Sequence, residues 1–394
     1  MDFMGYRKSL LKSLLCGLGV WAGFGSNGAD VKLLVPEKIY AVPGVETNLY
    51  FNNIVTVINP ANYVFDVDCE KGRNDLKRWR FIPDVKDVGS YPWSIKVIDQ
   101  NGTVAEAKSE LIVLPPDAGA GKKFSMLFVG ASQTNAGHYP NRMVQLMSRP
   151  GNPEFSTIGT KGKPARHEGY GGWRWGFFLT RWGYSGSRQM DGMHPDRPVG
   201  FNSPFIYADK DGNGKFDLNK YFAINNNGQV PDAVSFQLGL NDFFLCTDEN
   251  IAEVTARSIE NMEKLINEFR KLKPAPAIFI FQHIPGSNQD GFGKSYACGQ
   301  TSWQYRKNLD YYNRALLKKG KEMKVYVVPV YMNIDTEHNY PTMVQAVNED
   351  NPQHIIRQNN GVHPDKNGYR QMGDSYYAWL KYLLAKGALA DAKK

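Results

Sequence analysis

A serine, a glycine, an asparagine and a histidine stand in four short strings along the chain: GASQT around Ser132, GYGGW around Gly172, GLND ending in Asn241 and Asp242, and NGVHPDKNGY around His363. These residue types are suited to acyl transfer. A serine hydroxyl is a weak nucleophile at neutral pH, so an imidazole must take its proton as an acyl carbon is attacked, and a third group must hold that imidazole in the right tautomer. Negative charge developing on the acyl oxygen needs donors that are already in place. The backbone N–H groups of Ser132 and Gly172 and the side-chain amide of Asn241 can supply three.

In order and spacing the four strings resemble the blocks of the SGNH (GDSL-like) hydrolase superfamily, over residues 122–388. The resemblance implies that Ser132 is the nucleophile, that Gly172 and Asn241 complete an oxyanion hole with the Ser132 N–H, and that His363 is the general base. It implies no cofactor. Two positions depart from the family's pattern: Ala131 precedes the serine where GDS is usual, and Asn360 stands three residues before His363 where DxxH is usual. The expected arrangement is therefore Ser132, His363 and Asn360. An amide carbonyl can accept from an imidazole N–H, but it cannot offset imidazolium charge.

Each residue taken alone also fits a plainer role. Ser132 can cap the helix expected to begin near His138, Gly172 can be a turn glycine, Asn241 and Asp242 can form an Asx turn, and His363 can lie in a surface loop. The DxxH spacing recurs at Asp191 to His194 and at Asp335 to His338. His194 lies in a Gly/Pro/Asp-rich insertion and reads as a surface residue. Asp335 follows the strand-like VYVVPVY and is an alternative source of a carboxylate for the imidazole.

The elements that must position these residues alternate. FSMLFVG leads into Ser132, VSFQLG into Asn241, AIFIFQHI into a loop holding Cys298, and VYVVPVY into the region before His363. Between them IAEVTARSIENMEKLINEFRKL and SWQYRKNLDYYNRALLKKG carry apolar residues at helical spacing, as does GYRQMGDSYYAWLKYLL after His363. The expected fold class is α/β: a doubly wound, mostly parallel sheet (SGNH/flavodoxin-like), with ligands at the carboxyl ends of the strands and a smaller N-terminal all-β sandwich. GASQT lacks the GxSxG of an α/β-hydrolase elbow.

Residues 30–116 read as that sandwich, Ig-like in its closing hairpin DVGSYPWSIKVIDQNG; PPDAGAGKK reads as a linker and 122–388 as the catalytic domain. Residues 1–29 read as an export signal: Arg7, Lys8 and Lys12 precede LLCGLGVWAGFG, an apolar run too short to span a bilayer. A periplasmic or extracellular protein without a membrane anchor is expected. The chain has 394 residues, 42% hydrophobic and 22% charged, the balance of a globular protein, and its net charge of +8 is not gathered into a nucleic-acid stripe.

Beyond the signal the cysteines are Cys69, Cys246 and Cys298. Cys69 reads as a buried strand residue. Cys246 and Cys298 fit either a disulfide across active-site loops or two free thiols. In DKDGNGKFD, Asp209, Asp211, Asn213 and Asp217 take positions 1, 3, 5 and 9 of an EF-hand-like loop, but position 12 is Lys220, so a polar turn is expected over a Ca²⁺ site. Tyr170, Trp173 and Asp242 are candidates for substrate contact, the rings as stacking faces for sugars or as core. An acylated glycan is the expected substrate. Exported SGNH hydrolases with appended β-domains resemble carbohydrate esterases, which makes O-acetyl removal the first reading. A lipase or thioesterase is the second, and an attenuated glycan-binding protein the third.

Overall fold

The computed structural model describes residues 31–183, 202–289, 291–293 and 299–387. The N-terminal part is built of short strands: β1 (Lys32–Leu33), β2 (Lys38–Ala41), β3 (Thr47–Tyr50), β4 (Val55–Thr56), β5 (Val64–Asp68), β6 (Arg73–Asn74), β7 (Arg78–Phe81), β8 (Gly89–Asp99) and β9 (Gly102–Val113), with a single helical turn α1 (Phe51–Ile54) after β3. β8 and β9 pair as the antiparallel hairpin expected from DQNG, and β5 and β2 flank it in the order β2-β9-β8-β5. A second sheet runs β3-β7-β6. The alternating inward residues, among them Trp79, Trp93, Ile95 and Val97, share one apolar cluster.

The main sheet follows from runs that are apolar on both faces, which only a sheet covered on both sides can bury. It consists of β10 (Lys123–Gly130), β11 (Glu154–Ile158), β12 (Glu168–Gly169), β15 (Ala233–Gln237), β16 (Ala277–Phe281) and β17 (Tyr326–Val328). The order is β11-β10-β15-β16-β17, every pair parallel, with β12 also on β10. The chain starts inside this sheet, steps outward to β11, then returns across β10 to β15. The winding therefore reverses between β10 and β15, and the carboxyl ends of these two strands are where sheets of this kind bind ligands. Ser132 and Asn241 follow those two strands.

Helices cover both faces. α3 (His138–Met147) and α9 (Lys366–Ala385) bury Tyr139, Met143, Tyr376 and Leu380 against one side. α4 (Trp175–Thr180), α7 (Ile251–Arg270) and α8 (Ser302–Glu322) bury Trp175, Met262, Leu265 and Tyr312 against the other. A small hairpin, β13 (Ile206–Ala208) with β14 (Gly214–Phe216), leads into α5 (Leu218–Asn225). A longer hairpin, β18 (Thr342–Asn348) with β19 (Asn351–Gln358), stands between β17 and the histidine loop. Val344 and Ile356 face each other across it and are largely exposed.

The described residues of the N-terminal strands and the main sheet belong to one compact unit that begins at Val31. Polar contacts join them: the Asn48 N–H donates to Asn333 Oδ1 at 2.8 Å, the Tyr331 hydroxyl to the Leu34 carbonyl at 2.8 Å, and Arg306 Nη2 to the Asn52 carbonyl at 2.6 Å. The PPDAGAGKK connection is held by Lys381, a buried lysine on α9. Its ammonium donates to the carbonyls of Pro116 (2.7 Å) and Ala118 (2.6 Å) and to Asn152 Oδ1 (3.0 Å). Lys381→Met keeps the aliphatic stem but takes the donor away from the partly buried carbonyls of Pro116 and Ala118, while Asn152 Oδ1 keeps the Tyr377 hydroxyl, so we expect it to lower unfolding free energy by about 1–3 kcal/mol in denaturant melts at pH 7. An unchanged midpoint would show that the tether adds nothing.

Candidate active site

β10 ends at Gly130, and the chain turns at once into α2 (Ser132–Asn135). A Cβ at Gly130 would lie 1.9 Å from Thr134 Oγ1, so only glycine lets the turn close this tightly. The Ala131 methyl is buried in the apolar cluster under α4 and α7, which accounts for an apolar residue before the serine. Ser132 Oγ is thereby presented at the strand's carboxyl end.

His363 reaches the same point from a sequence distance of 231 residues, its Nε2 lying 2.7 Å from Ser132 Oγ. Its loop is held from several sides. The Ser287 N–H donates to the Gly361 carbonyl at 3.0 Å, and Asp365 caps α9 by accepting from the N–H groups of Asn367 and Gly368. Gln358, buried at the root of the β18–β19 hairpin, donates to the carbonyls of Thr336 and Glu337 and exchanges two 3.1 Å bonds with Gln289.

Asn360 departs from the arrangement expected of it. Its Oδ1 accepts from the N–H groups of Val362 (3.0 Å) and His363 (2.9 Å), so both lone pairs serve the backbone. The three-residue spacing that suggested an orienter is also the spacing of an Asx turn, and the turn has taken the oxygen. Asn360 shapes the loop that carries His363. Asp335 likewise serves its own loop: its carboxylate accepts from the N–H groups of Glu337 and His338 and lies 3.1 Å from Nδ1 of the exposed His338. Asp191 and His194 lie outside the described residues.

Asn241, in α6 (Leu240–Phe243), is buried and donates through Nδ2 to the Trp173 carbonyl at 2.9 Å. This bond ties the third string to the second, one residue beyond Gly172, whose φ is +75°. A carboxamide nitrogen carries two hydrogens, so one is left for an acyl oxygen. The structure thus gathers Ser132 and His363 directly and couples Asn241 to the Gly172 turn.

The substrate-contact expectation is corrected for the two rings. Trp173 is fully buried and Tyr170 is 6% exposed; they stack on each other at a centroid distance of 4.2 Å inside the core, where no sugar can reach their faces. The Tyr170 hydroxyl donates to Glu168, a residue the sequence reading passed over. Glu168 is completely buried on β12, accepting from Tyr170 (2.7 Å), Tyr221 (2.8 Å), and the hydroxyl (2.9 Å) and N–H (2.7 Å) of Thr160. Burial raises its carboxyl against those hydrogen bonds. A lone acid directly ahead of GYGGW was the available signal.

Asp242 also turns inward. Burial pushes its carboxyl from 3.8 up to about 7, against the opposing pull of Arg174 and Ser258, and its Oδ2 is enclosed with no hydrogen-bond partner among the described residues. It lies beside Arg174 and Ser258. In DKDGNGKFD, Asp209 Oδ1 accepts from the N–H groups of Asp211 and Asn213, and Asp217 caps α5 at the Lys220 N–H, so these acids close a polar turn. Cys69 lies just past β5 and is only half-buried, so it is not the buried strand residue expected. Cys246 is a buried free thiol packed in the core; Cys298, the other residue of the expected pair, lies outside the described residues.

The sequence profile of the GDSL-like lipase/acylhydrolase family matches residues 126–375, and the chain belongs to that family. Its sheet is the SGNH hydrolase fold with an added N-terminal β-rich region. No curated protein matches the chain. Among solved structures it is similar to a carbohydrate acetylesterase family member from Sinorhizobium meliloti (14% identity over 66% of this chain and 99% of the other, TM-score 0.38). It is also similar to the M. smegmatis aryl esterase (13%, 66% and 99%, TM-score 0.39) and to an acetyl xylan esterase (12%, 65% and 100%, TM-score 0.37).

The Asp242 carboxyl gives a pH test with a definite sign. Because its pKa is raised on folding, the native state keeps a proton that the unfolded chain has lost, and its contribution to stability falls as pH rises from about 4 to about 7. Asp242→Asn cannot ionise. Denaturant melts should show the variant gaining stability over the wild type at pH 8 and matching it near pH 4; a pH-independent difference would contradict this account.

Proposed function

We propose that this protein is a serine esterase that removes O-acyl groups, O-acetyl first among them, from an acylated polysaccharide or oligosaccharide. The observation that carries the reading is the 2.7 Å approach of His363 Nε2 to Ser132 Oγ at the switch point of the sheet. With Nε2 unprotonated, the hydroxyl donates to it. As Oγ attacks the acyl carbon, its proton passes to Nε2 and an acyl-enzyme forms on Ser132. Charge on the former carbonyl oxygen is met by the N–H groups of Ser132 and Gly172 and the second hydrogen of Asn241 Nδ2. His363 then gives the proton to the departing sugar oxygen as its bond to the acyl carbon breaks, and a water activated by the same nitrogen hydrolyses the acyl-enzyme, freeing the acid and Ser132.

The family membership supports an acylhydrolase, and the named substrates of the similar structures are consistent with an acetylated carbohydrate. Export through residues 1–29 and a supporting role for the N-terminal β-region belong to the same proposal.

The test is acetate release from acetylated glycans set beside hydrolysis of long-chain acyl esters. Ser132→Ala should lower turnover of the acetylated glycan by about a thousandfold or more. Preferred cleavage of long-chain esters would point to a lipase instead, and glycan binding without release to an attenuated site. Asn360→Asp retains an acceptor for the Val362 and His363 N–H groups, so its turnover should stay close to that of the wild type. Asn360→Ala frees the loop and should cost about tenfold in kcat. Equal turnover in Asn360→Ala and the wild type would remove Asn360 from the positioning of His363.

A further inference from the structure

Beneath the nucleophile runs a chain of buried polar side chains that the reaction does not use. Gln133, the residue after Ser132, is 1% exposed, and its Oε1 accepts from Nε2 of Gln237 at the end of β15. The same Gln237 nitrogen lies 3.3 Å from Nδ1 of His283, just beyond β16. His283 Nε2 in turn lies 2.9 Å from the Leu238 carbonyl. The His283 backbone is clamped by Asn313 of α8, which accepts from the His283 N–H at 2.7 Å and donates to its carbonyl at 2.9 Å.

Donors and acceptors fix the direction of this chain. The Leu238 carbonyl can only accept, so Nε2 carries the hydrogen and the neutral imidazole offers a lone pair at Nδ1. Gln237 fills that lone pair with one amide hydrogen and gives the other to Gln133. Burial keeps the ring neutral, with its pKa lowered to about 4. One imidazole thus holds both the segment leading to Asn241, through Leu238, and the turn carrying Ser132, through Gln237 and Gln133. Gln237 grips that turn a second time, its carbonyl accepting the Ala131 N–H at 3.2 Å. The next residue in the strand-to-α6 connection is equally confined: Gly239 has φ +122°, and a Cβ there would meet Tyr312 Oη at 2.3 Å.

We propose that His283 is a positioning residue, which, through Gln237, Gln133 and the Leu238 carbonyl, sets the distance between the Ser132 nucleophile and the Asn241 donor. The inference rests on the serine esterase reading. An oxyanion donor acts only when aimed at the place the charge will occupy, so slack between these two turns raises the barrier to acylation while leaving substrate binding little changed.

The experiment uses the full chain with p-nitrophenyl acetate as substrate and a fluorophosphonate probe to label Ser132, with thermal melts to confirm folding. His283→Phe keeps an aromatic ring but loses both bonds. His283→Asn retains an acceptor near the Nδ1 position, and Gln133→Met cuts the chain at the nucleophile end while leaving His283 in place. We expect kcat and the labelling rate to fall at least about tenfold in His283→Phe and Gln133→Met with KM within about twofold, and His283→Asn to recover part of the loss. Should His283→Phe fail to fold, Gln133→Met decides alone. Folded Gln133→Met with wild-type kcat and labelling rate overturns the proposal, as does a loss confined to KM. A wild-type chain that neither hydrolyses the ester nor takes the label overturns the esterase reading and this inference with it; an active wild type with unaffected variants overturns this inference alone.

Discussion

Everything about the site depends on one reversal in the winding of the main sheet. Parallel strands need crossovers, and successive crossovers placed to one side cover only one face. By stepping outward to β11 and then back across β10 to β15, the chain puts α3 and α9 on one face and α4, α7 and α8 on the other. The chain leaves the two strands there in opposite directions of winding, which is where sheets of this kind bind their ligands. Ser132 and Asn241 follow those two strands, and the loop between β19 and α9 brings His363 to Ser132. The 2.7 Å contact between residues 231 positions apart is a result of topology before it is a result of local sequence.

Much of this was legible in the residues. Long apolar runs such as FSMLFVG and AIFIFQ announce strands buried on both faces, and the amphipathic period of α7 and α8 announces helices laid over them. The order of the four strings was enough to place Ser132 next to His363. What was not legible is where a polar group finds its partner. Asn360 and Asp335 are each three residues ahead of a histidine, yet Asn360 spends its oxygen on nearby N–H groups while Asp335 also reaches the ring of the exposed His338, a choice made by local loop geometry that a spacing rule cannot resolve. Tyr170 and Trp173 illustrate the same limit for aromatics: their faces are spent on each other. The hairpin of β18 and β19 also escaped notice, since its alternation is weak and its apolar residues point outward.

The polar interior is a second theme. Glu168, Lys381 and His283 are all buried, and each is met by groups of matching character: four donors for the carboxylate, three acceptors for the ammonium, one donor and one acceptor for the neutral ring. Desolvation offsets most of what such bonds supply, yet removing one partner leaves the others unsatisfied and costs stability. The effect of these groups is to make one arrangement of strands and loops far better than its neighbours, since a shift of register would leave a charge or an amide without a partner. A site that needs two loops aligned to a fraction of an ångström benefits from that intolerance.

The β18–β19 hairpin has the opposite character. Its root is pinned by Gln358 and Gln289, while its tip carries exposed residues that no core element requires. Side chains on such a stalk are released from the packing constraints that bind the rest of the chain, and its length can change by pairs of residues without moving its base. Divergence between descendants of this protein should therefore accumulate at that tip, where a new surface can be tried beside the histidine loop while the reacting pair stays in place.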